Sequence, residues 1–199
     1  MELNYSKEKI EFEKELNQLD DFVIDFTKIL NELDIKYVIV SGYVAILFGR
    51  NRSSEDVDML IEKISYEKFK HLWKLLANQF ECLNTENCEG AFNEYLDSKT
   101  SLRFCYKGQY LPNMEIKFGK DYFDEWTLNN KIKVVLNKNL FFISEIEPQI
   151  SYKLVLGSKK DIEDARFLYK MFKDKLDFNK LDQFNRKFKI ENMFNEYLK

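Results

Sequence analysis

Proline and glycine are scarce in this 199-residue chain, which has 2 and 6 of them, so collagen-like, linker-like and low-complexity readings are excluded. There is one histidine, His71, and the 3 cysteines, Cys82, Cys88 and Cys105, lack zinc-type spacing. Reduced, partly buried thiols are therefore expected, with no disulfide framework. Apolar runs such as Tyr43 to Phe48 are far shorter than the ~20 residues a bilayer span needs. The opening MELNYSKEKIEFEKEL is charged throughout and has no apolar signal-peptide core, which predicts a soluble, cytoplasmic protein. A large excess of positive charge is also missing. A net charge of -3 argues against binding nucleic acid over the whole surface, though it leaves room for a local basic patch.

What the chain does have is packing material: 45% of residues are hydrophobic and 16% aromatic, enough for one domain with a real core. An amphipathic helix is expected from Ser6 to about Leu33, with Ile10, Phe12, Leu16, Leu19, Phe22, Val23, Phe26 and Leu30 on its buried stripe. A strand from Lys36 to Val40 leads through the tight turn Ser41-Gly42 into a short helix, Tyr43 to Phe48. A second strand runs from Asp56 to about Glu62, and Ser65 caps a helix reaching about Asn78. Strands are expected at Phe80 to Leu83, Leu102 to Tyr106, Met114 to Phe118, Ile132 to Leu136 and Leu140 to Ile143, with a helix at Asp121 to Leu128. Thr85 to Asp97 reads as a short helix or a loop. From Glu145 the pattern is helical, at about Pro148 to Leu156, Lys160 to Phe172 and in two shorter pieces within Phe178 to Leu198. The expected fold class is α/β (α+β), a mixed sheet with an N-terminal helix and a C-terminal helical bundle. The expected division is a core over residues 1–144 and a helical subdomain over 145–199.

The chemistry concentrates between Tyr37 and Glu62. In a strand, Asp56 and Asp58 project from one face about 7 Å apart, while Val57 and Met59 face the other way. Two carboxylates that close raise each other's pKa unless a cation fills the gap. A turn carrying Ser41 and Gly42 at a helix start offers backbone N–H groups to an anion. Together these outline a site for Mg²⁺ and substrate phosphates. Plain alternatives stand beside this reading: Asp-x-Asp also occurs on solvated strand edges, Arg52 also fits a solvated loop, and Lys153 and Lys160 also fit a solvated helix face.

Ser41-Gly42-x-x-Ala45, followed by Gly49-x-x-Arg52-x-Ser54-x-Asp56-Val57-Asp58, resembles the signature of the DNA polymerase beta-like nucleotidyltransferase superfamily. It looks most like the branch holding the abortive-infection type toxins. Tyr152-Lys153-Leu154 and Gly157-Ser158-Lys159-Lys160-Asp161-Ile162-Glu163-Asp164 resemble a second motif of that branch.

The resemblance implies a nucleotidyltransferase core that moves a nucleoside monophosphate from an NTP to a hydroxyl on tRNA or a partner protein. It also implies a possible toxin–antitoxin role. Asp56 and Asp58 would hold Mg²⁺ or Mn²⁺, and a third carboxylate, Glu115 or else Asp97, would complete the metal set and assist deprotonation. Ser41, Gly42, Arg52, Ser54, Lys153 and Asp161 would bind the nucleotide, with Lys153 neutralising phosphate charge and Asp161 capping its helix. The basic tail, with Lys159, Lys160, Arg166, Lys170, Arg186, Lys187 and Lys189, could hold an RNA backbone. The rival readings are an antibiotic-type enzyme acting on a small molecule and a non-catalytic nucleotide-binding partner of the same fold.

Overall fold

The N-terminal segment departs from expectation. The structure, a computed structural model describing residues 3–6 and 8–198, has strands at Asn4–Tyr5 (β1) and Lys9–Phe12 (β2), and its first helix, α1, is Gln18–Glu32. Ile10 and Phe12 are two residues apart, a strand spacing. In β2 both turn into the core while Lys9 and Glu11 stay partly exposed. The helix begins only where it can be capped: the Asn17 side chain accepts from the Asp20 N–H, and Asp20 accepts from the Asn17 N–H.

The chain continues through Tyr37–Val40 (β3), Gly42–Leu47 (α2), Asp56–Ile61 (β4), Tyr66–Leu76 (α3) and Phe80–Cys82 (β5). A short helix at Cys88–Gly90 (α4) runs into a π-helical turn, Ala91–Leu96, within the segment expected as a short helix or a loop. Leu102–Tyr106 (β6), Asn113–Phe118 (β7), Tyr122–Asn129 (α5), Lys131–Leu136 (β8) and Asn139–Ser144 (β9) complete the sheet. The helices Ile146–Leu156 (α6), Lys159–Phe172 (α7), Phe178–Phe188 (α8) and Glu191–Leu198 (α9) follow.

Among the described residues the strands form one nine-stranded sheet in the order β1-β2-β8-β9-β3-β4-β7-β6-β5. It is mixed: β3 runs antiparallel to β4 and parallel to β9, and β4 runs parallel to β7.

The pleat sorts the central strands into two faces. Ile39, Val57, Met59, Ile61, Met114 and Ile116 are buried in the main core with Phe22 and Phe26 of α1 and Phe69 and Leu72 of α3. Edge-on contacts of Phe22 and Phe26 with Phe80 add to this layer, so the aromatics serve mainly as core. The opposite face holds only a small apolar cluster, Val38, Leu60 and Leu128, with Val40 against it. Asp56 and Asp58 share that thinly covered face, since they alternate with Val57 and Met59. The cysteines are free; Cys105 is buried and the other two half-buried, and burial raises all three thiol pKa values.

Candidate active site

Strand register assembles the acids. Asp58 lies opposite Val40 of β3 on one side and opposite Glu115 of β7 on the other. In the parallel β4–β7 pair, partnered residues project from the same face, so Glu115 and Lys117 join Asp56 and Asp58 while Met114 and Ile116 enter the core. Burial raises the Asp58 pKa, and the charge of Asp56 adds to the rise; a hydrogen bond from the Ser41 side chain opposes it, Glu115 adds to it and Lys117 opposes it. The Ser54 hydroxyl donates to Asp56 at 3.3 Å.

Glu115 behaves differently. Burial pushes its pKa up, but hydrogen bonds from Ser101 and Arg103 and the charges of Arg103 and Lys117 bring it below the ordinary value. The Arg103 guanidinium meets Glu115 Oε2 through Nε at 3.0 Å and Nη2 at 2.9 Å. Among the described residues no three acids, histidines or cysteines converge as a ready metal cluster. The other third-acid candidate, Asp97, lies beyond the far end of β4, paired with Lys63 at 2.9 Å. A half-buried pair, Asp56 and Asp58, with one member's charged form disfavoured, still suits a divalent cation that takes its remaining ligands from substrate phosphates.

The turn before α2 is held from three sides. Ser41 has φ 63° and ψ −132°, an unfavourable conformation for a residue with a Cβ. Gln149 of α6 clamps it: the Ser41 N–H donates to Gln149 Oε1 at 3.2 Å, and Gln149 Nε2 donates to the Ser41 carbonyl at 2.6 Å. The Ser144 hydroxyl orients the same Oε1 at 3.0 Å. One backbone donor expected to face phosphate is therefore already engaged. A Cβ on Gly42 would collide with the Arg52 guanidinium, so a larger residue there would have to displace that group from Asp164.

Arg52 in turn reaches Asp164 of α7, Nη2 to Oδ2 at 3.0 Å, and Arg50 Nε lies 3.5 Å from Asp164 Oδ1. Lys153, 2% exposed, meets Asp161 at 2.6 Å and the same Asp164 at 3.1 Å. The buried ammonium is matched by two carboxylates of α7 and braces α6 against that helix. The Asp161 reading changes. The N-cap of α7 is Ser158, whose side chain accepts from the Asp161 N–H, and Asp161 sits one turn in, facing Lys153.

Beside the acids a cleft opens between the sheet, α5 and α6, lined in part by Ser41, Lys117, Phe123, Gln149 and Tyr152. Among the described residues Lys117 makes no ion pair, which leaves a cation facing the acid cluster. Gln149 and Arg103 are absent from the expected site, and Asp164 stands in the second motif without a role of its own. Asp164 had a signal in the Asp161-x-x-Asp164 spacing, whereas Gln149 and Arg103 had none.

No protein-family model matches the sequence, and no curated protein matches it. Solved structures do match. An antigenic nucleotidyltransferase-like protein from Paracoccidioides brasiliensis aligns over 88% of this chain and 89% of its own, with TM-score 0.53 and 17% identity. The antibiotic-resistance factor ANT(2'')-Ia aligns over 87% and 92%, with TM-score 0.48 and 9% identity, and JHP933 from Helicobacter pylori over 92% and 81%, with TM-score 0.44 and 17% identity. Only the first likeness is close enough to argue from, and at its identity it defines the fold alone. The chain has a mixed α/β nucleotidyltransferase-like fold.

Proposed function

We propose that this protein is a metal-dependent nucleotidyltransferase of the abortive-infection toxin type, which moves a nucleoside monophosphate from an NTP to an acceptor hydroxyl. The observation that carries this reading is the register Asp58–Glu115, which gathers Asp56, Asp58, Glu115 and the unpaired Lys117 on the thinly covered face beside the Ser41–Gly42 turn. Asp56 and Asp58 would hold Mg²⁺ or Mn²⁺. When bound, the cation neutralises phosphate charge and makes the acceptor hydroxyl easier to deprotonate. The acceptor oxygen forms a bond to the α-phosphorus, the α–β bridge breaks, and pyrophosphate leaves. Glu115 takes the acceptor proton, Lys117 faces the developing phosphate charge, and the Ser41–Gly42 turn, held by Gln149 and Arg52, keeps the distal phosphates in line.

An RNA acceptor, such as tRNA, is supported by a groove of about 500 Å³ along α7 and α9, lined in part by Arg50, Arg166, Lys170 and Lys173, with Glu163 paired to Arg166 among them. A second reading, nucleotide binding without transfer, is favoured by one observation, the engagement of Glu115 by Arg103. Incubation with labelled NTPs, Mg²⁺ and cell extract, with the Asp56→Ala, Asp58→Ala double variant as control, separates the readings. Label on RNA that is lost in the variant is the expected result. Label on protein or a small molecule changes the acceptor, and bound NTP without label supports the second reading. Wild-type protein that binds neither cation nor NTP sinks the proposal.

A further inference from the structure

Resting on the metal site proposed above, we infer that Arg103 is a positioning residue which holds Glu115 while the cation site is empty and releases it when a divalent cation binds. The sheet order sets up the choice. Strand β7 lies between β4 and β6, so Glu115 has an acid, Asp58, as its register partner on one side and a base, Arg103, on the other. Asp58 repels the Glu115 carboxylate from the β4 side, whereas Arg103, Lys117 and the Ser101 side chain attract it, and both guanidinium contacts fall on Oε2. The pair is open on the arginine side: the Arg103 side chain is 53% exposed and that of Glu115 17%. The arginine side of the pair is weakly held, because the guanidinium can move into water, while the largely covered Glu115 then needs another cation in its place.

A cation at Asp56 and Asp58 reverses the sign of the field that Glu115 meets on the β4 side. Turning toward it then gains more than the contact with Arg103 loses. The third carboxylate is thus stored one strand away from its working position. This accounts for three acids not converging among the described residues, and for an arginine opposite Glu115. Since the guanidinium competes with the cation for Glu115, Arg103 lowers cation affinity, and it does so through Glu115.

The test is Mn²⁺ titration of the full chain, read from the electron paramagnetic resonance signal of free Mn²⁺, with thermal melts confirming that each variant folds. Arg103→Gln is expected to bind Mn²⁺ roughly three- to tenfold more tightly than wild type. Arg103→Lys, which keeps the charge but loses the double contact, is expected to fall between them. In a Glu115→Gln background, adding Arg103→Gln should change nothing. Equal affinity in wild type and Arg103→Gln overturns the inference. So does the same tightening with Glu115 removed, because Arg103 would then act only as a nearby positive charge. If wild type binds no Mn²⁺, or Asp58→Asn binds it equally well, the metal-site reading itself fails and the Arg103 inference fails with it.

Discussion

Asp58 carries a cost in its charged form. Burial and Asp56 raise its pKa, so the folded chain holds a proton there more tightly than the unfolded chain does. Stability from this group is present at low pH and lost as pH rises through the raised value. Asp58→Asn is therefore expected to stabilise the apo protein at neutral pH, by about 1 kcal/mol, with the gain shrinking as the pH is lowered through the Asp58 titration. Melts across pH check this, and a variant no more stable than wild type at neutral pH would contradict it. Glu115 runs the opposite way, since its lowered pKa contributes stability at neutral pH that is lost on acidification. At Ser41 the strain lies in the backbone, with φ 63° and ψ −132°. Ser41→Gly should be close to neutral in stability, because relief of strain offsets the extra freedom of the unfolded chain. Ser41→Val should cost about 1–3 kcal/mol in denaturant titrations. Equal midpoints for the two would show that the turn is relaxed.

Helix α7 reaches the turn before α2 through side-chain charge. Gly42 leaves space for Arg52, Arg52 meets Asp164, and Asp164 also meets Lys153 on α6. Removing the shared carboxylate leaves the largely buried Arg52 without its acid and Lys153 with Asp161 alone, so Asp164→Asn is expected to cost about 3–5 kcal/mol. Gly42→Ala is expected to lose stability through its collision with the guanidinium, and Arg52→Ala should recover part of that loss in a double-mutant cycle. Additive losses would mean that Gly42 and Arg52 do not interact. At this scale the sequence was half legible. Gly42 and Arg52 could be picked out separately by spacing, but their contact depends on how the loop from Arg50 to Glu55 folds back over the turn, which no local periodicity reports. Gln149 was not legible either, because its partner Ser41 lies 108 residues earlier.

At the level of the whole molecule, one face of the sheet is sealed by α1 and α3 and the other is only lightly covered, and the acids stand on the open one. A cation and NTP bound there should stabilise the whole domain by mass action, about 2.7 kcal/mol at a hundredfold excess over Kd. For a chain this long that is a rise in Tm of about 5–11 °C, absent in the Asp56→Ala, Asp58→Ala variant. An equal rise in the variant would locate binding elsewhere. Among the described residues no helix is long and apolar enough to cross a membrane. The sequence by itself determined what depends on neighbours along the chain: which residues alternate across β4 and β7, where Ser65 caps α3, and that two aspartates share a face. It misread Lys9–Phe12 as helix by running the stripe of α1 back through Ile10 and Phe12, whose two-residue spacing belongs to a strand, and the pairing of β2 with β8 that fixes the strand joins segments more than 120 residues apart. Only the tertiary structure decided what surrounds the acids. The charges that tie Glu115 to Arg103 and bury Lys153 between Asp161 and Asp164 come from other strands and helices, and electrostatic partners follow distance in space.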